Sequence, residues 1–247
     1  MAQLENRYAQ SGVATRAGAA VDEGLRSYML GVYNYMAGGV ALTGIVAYLT
    51  YTMAVQDGAL TSFGQTLYAS PLKWVVMLAP LGFVFFLGFR IQQMSIGAAQ
   101  MAFWAFAAVM GLSLSSIFLV FTGASIAQVF FISAASFGAL SLWGYTTKRD
   151  ISGWGSFLFM GVVGIVIAAL VNLFLQSPAL QFAISAIGVL VFAGLTAYDT
   201  QRIKDGYLMV RHDAAMVAKS AVMGALSLYL DFINLFMMLL NLLGNRN

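Results

Sequence analysis

Two aspartates stand in apolar surroundings, where a carboxylate is expensive: Asp231 in LSLYLDFINLFMMLLNLLG and Asp199 in GLTAYDTQRIK. The first run is long enough to cross a bilayer and carries no other charge. A carboxylate at the centre of a spanning helix costs roughly 2.5 to 3.5 kcal/mol on insertion scales, so it faces a partner or water rather than lipid. Steps of three and four from Asp231 reach Ser220, Gly224, Ser227, Asn234, Met238 and Asn241, while the other faces carry Leu, Ile, Phe, Met and Val. A stripe of small and polar side chains belongs toward the interior of a bundle and a water-filled path, which makes Gly224, Ser227 and Asn234 pore-lining candidates. Ser and Asn would suffice as interhelical glue; a full carboxylate points to function.

Asp199 lies about one helical turn inside Arg202, which together with Lys204 anchors the end of its helix. Arg90, closing FFLGFRIQQ, reaches the same level and is a permissible ion-pair partner for Asp199. If both helices were straight, Asp199 and Asp231 would differ in depth by ~10 Å, so spacing alone does not pair them.

The elements that must position these groups are set by composition: 61% hydrophobic residues, 9% charged and a mean hydropathy of +0.85 describe an integral membrane protein. Apolar segments near residues 30–55, 72–89, 99–121, 126–146, 157–175, 179–198 and 221–243 give seven candidate spans, and the connections are mostly too short for a second domain. The expected class is an all-α bundle of seven transmembrane helices. Basic residues set its orientation. With the N-terminus inside, the cytoplasmic side receives Arg7, Arg16, Arg26, Arg90, Lys148, Arg149, Arg202, Lys204, Arg211 and Lys219, and the outside keeps only Lys73 and Arg246. A missing or extra span would scramble this alternation, so N-in and C-out is the predicted topology.

Ser70-Pro71 and Ser177-Pro178 put a capping residue before proline, the order preferred at a helix start. Pro80 falls inside the second span and is expected to kink it. Small residues at Ala107, Gly111 and Ser115, and at Gly161 and Gly164, mark close helix contacts. Residues 1–27 are polar and of mixed charge, lack the pattern of a secretory signal, and read as a cytoplasmic tail ahead of a membrane domain over 28–247. The absence of cysteine excludes disulfides, thiolate metal sites and cysteine catalysis. The pI near 9.2 reflects the distribution that topology requires rather than nucleic-acid binding. His212 reads as a solvated residue of a long loop over 205–219.

GLTAYDTQRIK followed by ALSLYLDFINLFMMLLNLLG, with GYTTKRDISGWGSFLFMG between the fourth and fifth spans, resembles the Bax inhibitor-1 family, also called the YccA or transmembrane Bax-inhibitor-motif family. The resemblance extends across most of the membrane domain and leaves out the N-terminal tail. It implies a bundle whose last helix is surrounded by the other six, a pH-responsive calcium leak, and two functional aspartates that map onto Asp199 and Asp231. It also implies that Arg90 latches Asp199. Close carboxylates in a poorly solvated site resist double ionisation and share a proton, which would make the pair a switch. Calcium would be a permeant ion held transiently by Asp199 and Asp231, with no tightly bound cofactor. The compact form resembles bacterial inner-membrane members, and the chain lacks the lysine-rich tail of eukaryotic ones.

An intramembrane protease would carry GxGD at the second acid, where Leu228-Tyr229-Leu230 precedes Asp231, and a retinal protein needs a lysine within the last span; no enzyme is expected. The alternative is a regulator that binds a membrane AAA protease through its tail or cytoplasmic loops.

Overall fold

The computed structural model describes residues 2–247, with side chains from Asp22 onward except Gln92. The chain forms α1 (Ala2–Ala54), a hairpin of β1 (Val55–Gln56) and β2 (Ala59–Leu60), and α2 (Ser62–Gly64), which continues as a π-helical turn over Gln65–Ala69. Then come α3 (Leu72–Arg90), α4 (Ile96–Leu114), α5 (Ile117–Val120), α6 (Gly123–Thr146), α7 (Trp154–Leu175), α8 (Pro178–Val210) and α9 (Ala214–Leu243). In the hairpin, Asp57 and Gly58 take φ of 50° and 77°, the left-handed pair that a two-residue turn requires.

Seven segments are long and apolar enough to cross a membrane: Asp22–Ala54, Leu72–Arg90, Ile96–Val120, Gly123–Thr146, Trp154–Leu175, Pro178–Val210 and Ala214–Leu243. The protein is thus the all-α, seven-span membrane bundle that hydropathy predicts. The expected tail over 1–27 lies mostly outside the residues whose side chains are described.

Helix starts follow the capping signals. Ser70 Oγ accepts from Leu72 N at 3.1 Å, and Ser177 Oγ accepts from Leu180 N at 3.3 Å. Helix α3 runs unbroken through the buried Pro80. Of the small residues, Gly111 lets α4 approach α1, since a Cβ there would stand 2.7 Å from Thr43 O, and Gly161 lets Val191 of α8 close on α7. Gly164 faces open space.

The C-terminal helix α9 is the most buried span and lies at the centre. Its main packing is with α8, α1, α6 and α4. Four helices, rather than all six, form its principal wall: α3 packs on α4, and α7 on α8. On the α1 and α4 side, the Tyr229 ring meets Phe103 and Phe106 edge-on at 6.1 and 5.4 Å. The Thr43 hydroxyl spends its proton on Ala107 O, so the Tyr229 hydroxyl donates to Thr43 at 2.6 Å.

Basic residues stand at both ends of the bundle. Arg26, Arg149 and Lys204 gather around Tyr145 and the α6–α7 connection. Lys73 lies near Val120 at the opposite end, where Phe121 bridges Arg246 and Asn247 N donates to Val120 O at 3.0 Å.

The expected loop is overturned. Residues 205–219 are not a long loop: α8 continues to Val210, α9 starts at Ala214, and only a tight turn separates them. Asp213 caps the new helix by accepting from Ala215 N and Met216 N at 2.8 and 3.1 Å, so the polar segment reads as loop by composition while its backbone bonds remain helical. His212 sits in this exposed turn and accepts from Arg211 Nε at 3.3 Å.

Candidate functional site

Helices α8 and α9 make the most extensive pairing in the bundle, and both aspartates are buried between them, Asp199 at 8% and Asp231 at 5% exposure. Close approach at this level is permitted by Gly224, where a Cβ would meet Ile203 of α8 at 3.1 Å. Asp231 feels the charges of both Asp199 and Arg202. Its Oδ2 atom is buried and accepts no hydrogen bond among the described residues. A buried polar oxygen left in that condition costs about 1–3 kcal/mol, and more when charged, so the fold retains it against its own stability.

Asp199 has its counter-charge on its own helix. Arg202 Nε lies 3.7 Å from Asp199 Oδ1, an i,i+3 pair whose guanidinium is largely exposed. Arg90 is elsewhere: its Nη1 donates to Gln93 Oε1 at 3.1 Å at the exposed end of α3, and among the described residues the ion pair on Asp199 comes from Arg202 instead.

The stripe of small and polar residues on α9 divides in two. Ser220, Gly224 and Ser227 line a cleft of about 250 Å³ shared with Tyr28, Arg202 and Gly206, and Tyr28 Oη bonds Ser220 Oγ at 3.0 Å. Ser227 is one turn of α9 before Asp231, so the cleft leads toward the acids. Asn234 and Asn241 behave differently: each amide donates to a carbonyl one turn back, Leu230 O at 2.8 Å and Met237 O at 2.9 Å. Beyond Asp231 the seam closes, because Leu235 is buried and Met238 seats on Gly188, where a Cβ would stand 2.7 Å from its Sδ.

Two carboxylates are too few for a calcium cage, which takes 6–8 oxygens, and among the described residues no cluster of three or more acidic or histidine side chains is arranged around a metal.

Residues 25–247 match the family described as Inhibitor of apoptosis-promoting Bax1. The chain belongs to the Bax inhibitor-1 family. An uncharacterised protein of Caulobacter vibrioides is 46% identical over all of this chain and 99% of its own length. The inner membrane protein YbhL of Escherichia coli K12 is 48% identical over 90% of this chain and 93% of its own. A Deinococcus radiodurans protein is 39% identical over 90% of this chain. The location in the bacterial inner membrane expected from the sequence is the one carried in the YbhL name.

In this Bax inhibitor-1 protein the segments GYTTKRDISGWGSFLFMG and GLTAYDTQRIK are built against each other. Gly144 of α6 abuts the Ala197 backbone of α8, and Gly155 of α7 abuts the Tyr198 hydroxyl. Gln201 clamps the α6–α7 connection: its Oε1 accepts from Ile151 N at 2.9 Å and its Nε2 donates to Arg149 O at 2.8 Å. Lys204 Nζ donates to Tyr145 O at 3.0 Å, a cation on the carbonyl end of α6. Thr200 donates to Thr196 O at 2.7 Å, so the remaining hydroxyls must donate in order from Tyr33 to Ser141 (2.7 Å) and from Ser141 to Thr200 (2.9 Å). Sequence reasoning singled out Asp199 here and missed Thr200 and Gln201. Their signal was weak but present: two neutral polar side chains between Asp199 and Arg202, where the apolar run of α8 ends.

Proposed function

We propose that this protein is a pH-sensitive calcium leak of the bacterial inner membrane, switched by a proton on the Asp199–Asp231 pair. The observation that carries this reading is a polar cleft ending one turn short of a buried carboxylate oxygen that accepts no hydrogen bond. With the N-terminus inside, the cleft opens to the cytoplasm and gives protons and calcium a path to the acids. The seal at Leu235 and Met238 makes the arrangement described here a closed one.

The proposed cycle uses three charges. Two carboxylates and one guanidinium leave a net negative charge that a proton cancels. When the pair loses that proton, Asp199 and Asp231 repel, α8 and α9 part at Gly224, and Asp199 exchanges Arg202 for Arg90. Calcium then crosses with Asp199, Asp231 and Ser227 as transient oxygen ligands, and Asn234 joins only if it releases Leu230 O.

The test is calcium influx into liposomes holding the purified protein, across a pH series, for wild type and for Asp199→Asn, Asp231→Asn and Arg90→Ala. Flux that varies with pH and loses that variation in the aspartate variants supports the leak. Wild-type flux equal to empty liposomes at every pH sinks it and leaves the regulator of a membrane AAA protease, checked by co-purification from detergent.

A further inference from the structure

Helices α1 and α6 both lean on α9 but share no extended packing with each other. They meet through the Tyr33–Ser141 hydrogen bond, and elsewhere the space between them is a groove. One part, of about 440 Å³, is walled by Met29, Leu30, Met36 and Ala37 of α1 and by Phe137, Gly138 and Leu142 of α6. Nothing approaches within 4 Å of a Cβ built at Gly138, so the groove is open at that wall. A second apolar hollow of about 380 Å³ continues the seam toward Tyr48 and Gly123, floored by Phe232 and Phe236 of α9.

The first groove has a direction. Its α1 wall runs from residue 26 to residue 37, about 16 Å of helix, close to the half-thickness of a ~30 Å hydrocarbon layer. Arg26 stands at one end and is the one charged lining residue among the described ones. Tyr145 lies at the same end, with Lys204 Nζ 5.8 Å from its ring centroid. An apolar slot one leaflet deep, capped by the Arg26 guanidinium at headgroup level, fits an amphiphile with a negative head and a hydrocarbon tail.

We propose that the α1–α6 groove is a binding site for one acyl chain of an anionic phospholipid, whose phosphate is held by Arg26. The site lies apart from the α8–α9 cleft, and its occupancy does not depend on calcium conduction. Its inner wall is Tyr33 and Ser141, the first two hydroxyls of the chain that ends beside Asp199, so a bound lipid touches the bond that fixes α1 to α6.

The test is native mass spectrometry of the protein released from bilayers of equimolar phosphatidylglycerol and phosphatidylcholine. Wild type should retain one lipid per chain, with phosphatidylglycerol favoured about fivefold, the preference one basic residue confers near a membrane surface. Arg26→Gln should keep the lipid and lose the preference. Gly138→Leu puts a side chain into the slot from a position where a Cβ has room, and should lose the lipid; Ala37→Phe fills it from the opposite wall and serves if the first variant does not fold. Equal retention of both lipids by wild type, undiminished retention in both filled variants, or a second copy of the chain seated there in place of lipid would each overturn the proposal.

Discussion

The α8–α9 seam has two halves that obey opposite rules. Toward the α8–α9 turn it holds Asp199, Asp231, Ser227 and a cleft, with a buried oxygen left unsatisfied. Toward the far end it holds Leu235 and Met238, and Gly188 is spent on packing the Met238 thioether rather than on opening space. The same pair of helices is loose and polar at one level and dry at the next. Tight packing of the dry half holds the acids at an energetic cost that they could not sustain as an isolated helix pair.

The largest effect should come from removing the acid half of this contrast. Asp231→Asn, which leaves an amide in the same volume, should abolish the pH dependence of calcium flux, and a response like wild type would show that the two halves do not differ in function. Breaking the dry half is the converse. Leu235→Ala should remove about 2–5 kcal/mol of packing by the measure of large-to-small core changes, and should raise flux at every pH while flattening its dependence. A leak that stays closed in Leu235→Ala would place the seal elsewhere.

A smaller effect is expected where α8 meets the α6–α7 connection. Gly144→Leu forces a side chain into the Ala197 backbone, and overpacking of this kind costs about 1–3 kcal/mol, visible as a lowered melting temperature in detergent. Gln201→Leu strands Ile151 N and Arg149 O, a loss of about 1–3 kcal/mol that should appear as faster amide exchange confined to residues 147–153.

The smallest effect lies in that same connection, outside the spans. The Ser152 side chain and backbone N–H hold the Asp150 carboxyl below its ordinary value of 3.8. A depressed carboxylate stabilises the fold above its unfolded value, and the contribution disappears as pH falls through the lower folded value. Ser152 exchange should therefore quicken only in that acid window; quickening near neutrality would mean that the loop answers to a different group.

The spans were legible because each buries or wets whole faces of about twenty residues, a signal that hydropathy integrates. Asp231 was legible because one charge in an apolar run stands out. Residues 205–219 were misread because polar composition does not separate loop from a helix that has left the lipid. The predicted role of Asn234 met a competitor that spacing cannot reveal: a local carbonyl one turn back, which α9 supplies wherever it is buried. Arg202 was visible as a neighbour of Asp199 at i,i+3, yet only the side-chain geometry makes it the ion-pair partner. The α1–α6 groove had no sequence signature, because a gap between helices is a property of the tertiary arrangement.

Helix α8 has a mechanical consequence. At 33 residues it is about 50 Å long, some 20 Å more than the hydrocarbon requires, and a tight turn joins it to α9. Asp199 is about 16 Å from the end of that shaft. The turn at Arg211 and His212 is therefore tied to both acids by unbroken helix.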